Sequence, residues 1–352
     1  MRVKIGGKIK NFRTIWMKGK TVRMIDQTKL PYKFEIYDSL DFKQTAEAIK
    51  KMIVRGAPAI GVAAGFGIAQ AILDAPEDRF EEFLKHAVET LRDTRPTAQN
   101  LFWTIDRILK IVIKGKNVSE KKKLAVDEAN KIADEDVETC KKIGEYGDKL
   151  IKDGDKILTH CNAGALATVD YGTALAPIRF AHYEGKKIFV FVDETRPRCQ
   201  GSRLTAWELS QEGIEHAIIA DNAAGYFMQK GEIDLVIVGA DRILSNGLTA
   251  NKIGTYEKAV LAKENEIPFY VAAPTSSFDL KSKEIPIEKR SQDEILYMFG
   301  LNDEGKFSRV RIAPKKSQAL NPAFDTTPAK FITSFITEKG ILKPKDFRKL
   351  FK

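Results

Sequence analysis

The sequence predicts an α/β protein: a mainly helical N-terminal domain with a small antiparallel sheet, then a C-terminal domain built on a parallel sheet. Three observations predict it. From Phe42 to about Ile151 apolar residues recur at helical spacing; from Lys156 short β-branched runs alternate with helix patterns; and one alternating stretch near the N-terminus has a turn in its middle. A chain of 352 residues has room for two domains. We set them at 1–130 and 131–352.

The N-terminal elements follow in order. "TIWMKGKTVRMID" (14–26) alternates around Lys18-Gly19-Lys20 and reads as a hairpin. Phe42 to Val54 has one apolar face, "APAIGVAAGFGIAQAIL" is apolar all round and should be buried, and Glu82 to Arg92 is amphipathic. Helices are expected over Leu101 to Ile113 and from Ser119 to about Ile151, where Ser119 with Lys122 supplies half of a capping box.

Beyond Lys156 the runs "KILTH", "KKIFVFVDE", "HAIIAD", "IDLVIVGAD" and "IPFYVAAPT" are separated by helix patterns, the last of them Thr255 to Glu266. Continuously apolar strands joined by helices imply a parallel sheet covered on both faces, with right-handed crossovers. Ligands of such sheets collect at the carboxyl ends of the strands. The polar residues that end four of these runs, Cys161, Asp193 with Glu194, Asp221 and Asp241, should share that edge.

Bulk properties narrow the function classes. Hydrophobic residues at 43% and charged residues at 30% describe a globular chain. The formal charge of +10 suits an anionic ligand or nucleic acid, yet the basic runs "KKK" (121–123) and "KPKDFRKLFK" (343–352) are mixed with acids or lie on amphipathic segments, which favours solvated faces. Cys140, Cys161 and Cys199 are too scattered for a disulfide framework, and neither they nor the four histidines have metal-ligand spacing. With no apolar leader and no run of membrane-span length, a cytoplasmic location is expected, with neither membrane nor nucleic acid as partner.

In "KILTHCNAGALAT" (156–168) a strand ends, and small residues follow as at the start of a helix, where backbone N–H groups suit an anion. Read alone, Cys161 is one more buried thiol. Asp241 follows "LVIVGA" and, at an apolar strand end, would have its pKa raised by desolvation, as a general acid at neutral pH requires; a carboxylate that caps a turn or pairs with Arg242 is as good a reading. Arg55 and Gly56 precede an apolar helix with Pro58 near its first turn. Arg95 lies in a loop fixed by Pro96. Arg196, Arg198, Gln200 and Arg203 surround another strand-to-helix turn, and Asn251 with Lys252 precede a helix near Gly254. Three arginine loops exceed what solubility needs, and together they describe a pocket for a polyanion or sugar phosphate.

Seven stretches, "TIWMKGKTVRMIDQTKLP", "IVRGAPAIGVAAGFG", "RPTAQNLFW", "THCNAGALAT", "DETRPRCQGSRLTAWEL", "VGADRILSNGLTANKIGT" and "NPAFDTTP", resemble in this order the signatures of the 5-methylthioribose-1-phosphate isomerases of methionine salvage. The resemblance spans nearly the whole chain. It implies a Rossmann-like C-terminal domain, a homodimer, and isomerisation of an aldose 1-phosphate to its ketose without a cofactor. Motif by motif, Cys161 resembles the family's catalytic cysteine and Asp241 its acid. Arg55, Gly56, Ala57, Arg95, Gln200, Asn251 and Lys252 resemble its substrate-binding positions. Cys199 departs from the pattern, standing where an aliphatic residue is expected.

Two related groups set the alternatives. Ribose-1,5-bisphosphate isomerases share the C-terminal architecture and the cysteine and aspartate, but the "TIWMKGK" hairpin and "RGAPAIG" are associated with the methylthioribose enzymes. Regulatory subunits of translation initiation factor 2B share "NPAFD" and the fold, are binding proteins, and are expected to lack the cysteine and aspartate pair.

Overall fold

In a computed structural model, residues 1–95 and 98–346 are described. Pro96, expected to fix the Arg95 loop, and the end of the closing basic run lie outside them. The chain opens with the hairpin β1 (Arg2–Ile5) and β2 (Lys8–Asn11), then β3 (Ile15–Lys18), β4 (Thr21–Ile25) and β5 (Ile36–Ser39), which form a three-stranded antiparallel sheet. Ile15 faces Met24 and Lys18 faces Thr21, so the turn falls on Gly19 as the alternation predicts.

Five helices follow: α1 (Phe42–Lys50), α2 (Ala57–Asp74), α3 (Phe80–Arg92), α4 (Gln99–Val112) and α5 (Val118–Gly147). The Asp41 carboxylate caps α1 by accepting from the Gln44 N–H at 2.8 Å. That helix stops before Val54 because the backbone turns at Met52, whose φ is +57°. The predicted cap of α5 is corrected: Asn117, not Ser119, takes the N-cap and accepts from the Glu120 N–H at 2.9 Å. Helix α2, wrapped by α1, α3, α4 and α5, is the centre of the first core. Its 18 residues reach the length and apolar character of a membrane span, contrary to the sequence expectation; 78% of it is buried inside the protein.

The second half alternates strand and helix: β6 (Lys156–Thr159), α6 (Leu175–Tyr183), β7 (Phe189–Asp193), α7 (Ala206–Glu212), β8 (His216–Ile219), α8 (Ala224–Gln229), β9 (Leu235–Val238), β10 (Arg242–Leu244), β11 (Thr249–Lys252), α9 (Thr255–Glu264), β12 (Phe269–Ala272), β13 (Phe278–Asp279), α10 (Asp293–Leu296), β14 (Tyr297–Leu301), β15 (Phe307–Arg311), β16 (Phe324–Thr327), β17 (Ser334–Thr337) and β18 (Gly340–Leu342). The main sheet runs β18-β17-β12-β9-β6-β7-β8, parallel except for β18. Its two faces use alternate residues. Leu158, Val236 and Val238 pack on one side, and Ile157, Leu235 and Ile237 on the other.

Strands β17 and β18, the smaller sheet β13-β10-β11-β16 and the hairpin β14-β15 carry no sequence expectation. They are two to five residues long, too short for a period to register. The fold is thus a mixed α/β arrangement with a large mixed sheet.

Candidate active site

Because β6, β7, β8 and β9 are neighbours and parallel, the residues just past them meet on one edge. Strands β6 and β9 pair directly, Leu158 against Val236, so Cys161 and Asp241 emerge side by side despite eighty intervening positions. Both line one pocket, together with Arg55, Gly56, Ala57, Arg95, Gln200, Asn251 and Lys252. The nine positions matched to the family's motifs therefore converge and Arg198 joins them, whereas Arg196 and Arg203, also expected there, do not line the pocket and donate instead to the carbonyls of Ile295 and of Thr28 and Leu30. Other residues line the pocket without having been singled out as site residues, among them Met52, Asn162, Arg290 and Phe324.

The segment after β6 differs from expectation. A single 3-10 turn, Ala165–Ala167, replaces the helix, and α6 begins only at Leu175. The cause is a buried carboxylate. Glu208 accepts from the backbone N–H of Ala165 at 2.8 Å and of Leu166 at 3.1 Å, from Asn162 Nδ2 at 2.9 Å and from Arg179 Nη2 at 2.6 Å. A Cβ on Gly164 would stand 2.4 Å from that carboxylate. The side chain of Glu208 thus satisfies the N–H groups that a helix would otherwise have ordered.

Cys161 has φ +67°, and Thr195, Cys199 and Met52 around the pocket also have positive φ. Its N–H donates to Thr195 Oγ1 at 2.8 Å and its carbonyl accepts from Thr205 Oγ1 at 2.7 Å, which over-determines the turn. Thr205 closes a π-helical turn, Gly201–Thr205, that leads into α7. The preceding residue, His160, bonds through Nε2 to the Ile253 carbonyl and through Nδ1 to Asp193 Oδ2, each at 2.8 Å. Asp193 and Lys258 are fully buried behind it, 3.8 Å apart.

Two cations flank the thiol. Arg55, 7% exposed, donates from Nη1 to the Asn162 carbonyl at 2.8 Å, from Nη2 to Asn162 Oδ1, and from Nε to Gln27 Oε1 at 3.1 Å. Gly56 then turns the chain into α2 with φ +95°, and its position against Ala167, 2.4 Å from a built Cβ, admits no side chain. Lys252, at the end of β11, donates to the Ala323 carbonyl at 3.0 Å and lies over the Phe324 ring. Burial pushes the Cys161 thiol above its ordinary pKa, while Lys252 and Arg55 pull it back. Burial likewise raises Asp241, against the pull of Lys252, Arg95 and Arg55. A carboxyl shifted toward its protonated form, beside a thiol flanked by cations, forms a pair suited to proton transfer.

Gln200 contributes a different signal. Its Oε1 is buried without a hydrogen-bond partner, and its side chain lines the pocket. Arg242 is engaged with Asp279 at 3.6 Å and Gln99 at 3.3 Å. Asp193 and Asp221 stand with His160 in one cluster behind the pocket, and Lys258 donates to the Asp221 carbonyl at 2.5 Å, so a cation of the chain's own already occupies it. Arg290 escaped the sequence reading because "IPIEKRSQDE" has neither period nor small-residue turn; its glutamate partners are close in sequence, but the segment is tied down by a distant one, the Asn321 carbonyl that accepts the Arg290 N–H.

Comparisons with known proteins identify relatives over nearly the whole chain. A family model described as the initiation factor 2 subunit family matches residues 53–344. A protein of Methanocaldococcus jannaschii described as a putative methylthioribose-1-phosphate isomerase is 54% identical over 95% of this chain and 96% of its own. The crystal structure of 5-methylthioribose 1-phosphate isomerase from Pyrococcus horikoshii has a TM-score of 0.87 at 47% identity, covering 97% of this chain and 96% of that one. A structure from A. fulgidus, described as translation initiation factor eIF-2B subunit delta, has a TM-score of 0.84 at 47% identity, covering 96% and 98%.

Proposed function

The chain belongs to the initiation factor 2 subunit family, and within it we propose that the protein is a methylthioribose-1-phosphate isomerase of methionine salvage, an aldose-ketose isomerase. The observation that carries this reading is the joint presence of Cys161 and Asp241 in one cation-lined pocket. Relatives at 51–54% identity over more than nine-tenths of the chain bear that name. The subunit description of the A. fulgidus relative raises a binding role as the second reading, and an intact acid and thiol pair argues against it.

The substrate sets the chemistry. An ordinary sugar isomerase opens the ring through a free anomeric hydroxyl, but here phosphate occupies that oxygen. Asp241, whose burial favours the protonated form, is the general acid that protonates the ring oxygen. Arg55, the backbone of Gly56 and Ala57 at the start of α2, Arg95, Gln200, Asn251 and Lys252 hold the phosphate and the sugar hydroxyls. The unpartnered Gln200 oxygen supports a hydroxyl or a phosphate proton as its ligand. Cys161 works beside C1 and C2. As a thiolate favoured by Lys252 and Arg55 it abstracts the C2 proton; in a direct hydride shift from C2 to C1 it instead stabilises the migrating charge. Deuterium at C2 separates these routes: retention at C1 sinks proton exchange with solvent, and full washout sinks the shift.

The same proposal includes a helical N-terminal domain (1–130), a Rossmann-like C-terminal domain (131–352), a homodimer, a cytoplasmic location, and no role for cofactor, membrane or nucleic acid. Separate apolar clusters in the helices and on the sheet support two cores, but position 130 falls inside α5, whose Ile132 and Ala133 belong to the helical cluster, so the boundary as set does not follow a break in the packing. Phosphorus NMR tests the activity. The protein is incubated separately with 5-methylthioribose 1-phosphate and ribose 1,5-bisphosphate; conversion of the first alone is expected. Conversion of the second alone would move the protein to nucleotide-ribose metabolism, and conversion of neither would favour the binding role.

A further inference from the structure

A chain of alternating charges crosses the pocket's lip. Arg95 Nη2 lies 3.2 Å from Glu288 Oε2, Glu288 Oε1 is 2.9 Å from Arg290 Nη1, Arg290 donates twice to Glu294 Oε1 and once to Oε2 at 2.6 to 3.1 Å, and Glu294 Oε1 accepts from Arg198 Nη1 at 2.9 Å. All five side chains are between 14% and 29% exposed, so none is a solvated surface charge. Three of the five, Arg95, Arg198 and Arg290, line the pocket; neither glutamate does. The glutamates therefore grip the arginines from behind.

The segment that carries them has its own support. The Arg290 N–H donates to the Asn321 carbonyl at 2.9 Å, and Asn321 Nδ2 returns bonds to the Ser291 carbonyl at 2.9 Å and to Glu294 Oε2 at 3.0 Å. The Ala323 N–H reaches the Glu288 carbonyl at 2.9 Å, and the same Ala323 carbonyl receives Lys252. The "NPAFD" stretch thus ties the lip to Lys252. Burial would raise the Glu294 carboxyl, but Arg290 and then Arg198 hold it down to about 2, so it stays ionised at any working pH.

We infer that Arg290 is a further anion-anchoring residue of this pocket, and that Glu294 and Glu288 are positioning residues that aim Arg290, Arg198 and Arg95 at the substrate phosphate. The inference rests on the pocket taking a sugar phosphate. Three arginines at one lip repel one another, and each has rotamers that point to solvent. Fork-to-carboxylate pairing fixes the planes of the guanidinium groups before the ligand arrives.

The sign of one substitution decides it. If Glu294 merely offset positive charge, Glu294→Gln would tighten anion binding; if it positions the arginines, the same change weakens it. Calorimetry with inorganic phosphate is expected to show roughly tenfold weaker binding in Glu294→Gln and in Arg290→Lys, which keeps the charge and loses the fork. KM for the sugar phosphate should rise by a similar factor, with a smaller fall in kcat. Unchanged or tighter phosphate binding in Glu294→Gln, or wild-type binding in Arg290→Lys, overturns the inference. A purely structural role would lower the melting temperature and leave phosphate affinity where it was. Should the wild-type protein bind phosphate yet isomerise nothing, the proposed function fails and the positioning argument is still decided by the calorimetry.

Discussion

Arg55 Nη1 donates to the carbonyl oxygen of Asn162 at 2.8 Å, which fastens the entry of α2 to the residue after Cys161. One guanidinium thereby joins the helical half of the chain to the edge of the main sheet. A third bond, to Gln27, brings in the segment after the N-terminal hairpin. The pocket thus has its walls on elements from both halves, and their relative placement depends on a buried cation.

Replacement of Arg55 by lysine keeps the charge and loses the planar fork. Charge-assisted hydrogen bonds are worth about 1.5–3 kcal/mol each, so Arg55→Lys should lower kcat/KM by about 10–100-fold. Steady-state kinetics checks this. Activity within twofold of wild type would remove Arg55 from the site's architecture.

Cys161→Ser and Asp241→Asn should each lower turnover by about 10²–10⁴-fold, the range for a lost acid-base group. Both side chains stand past strand ends and outside the apolar clusters, so neither variant should melt below wild type. A variant that keeps near-normal turnover has lost no catalytic group.

How far the site was legible follows from which residues carry local signals. Cys161, Asp241 and the Arg55 to Ala57 turn each end an apolar run, and parallel strands then bring such ends to one edge without further information. The helix expected after Cys161 is absent because Glu208, some forty residues on, satisfies the backbone of residues 165 and 166. Arg290 was invisible for the same reason. Its neighbours in sequence say nothing of Glu294's second partner, Arg198, about a hundred residues away. The strands β10, β13, β17 and β18 have two to four residues each and take their conformation from pairing.

Asp241 also gives a pH signature. Burial raises its folded-state pKa above the ordinary 3.8, so folding favours the protonated form. Its contribution to stability is complete below the ordinary value and is lost as pH rises through the folded value. Asp241→Asn should therefore melt higher than wild type at neutral pH, and the difference should vanish in acid near pH 3.8. Turnover of the wild type should fall as pH rises through the same folded value, since the general acid must hold its proton. A variant that melts lower at neutral pH would mean that the ionised carboxylate is stabilising there.

Glu208 tests the loop. It and Arg179 are at most 1% exposed, and removal of one partner leaves a buried charge uncompensated. Glu208→Ala should cost about 3–5 kcal/mol in urea unfolding, with an unchanged slope. A loss below about 1 kcal/mol, the scale of an exposed pair, would show that water replaces the carboxylate.

His160 offers a finer test, because its two ring nitrogens serve different elements. A carbonyl only accepts, so Nε2 donates to Ile253 and thereby holds the end of β11, with Asn251 and Lys252, against Cys161. Nδ1 faces the Asp193 carboxyl, and one proton lies between them. Glutamine at this position places an amide where Nε2 stands, and asparagine places one near Nδ1. His160→Gln should keep the Ile253 bond and a near-normal KM, while His160→Asn should keep the Asp193 contact and raise KM roughly tenfold, the worth of one such bond. Neither change empties the space of the imidazole ring, so folding should survive both. Equal KM values in the two variants would mean that the Ile253 bond does not set the position of Lys252, and the tie between the thiol segment and the lysine would have to run through Ala323 instead.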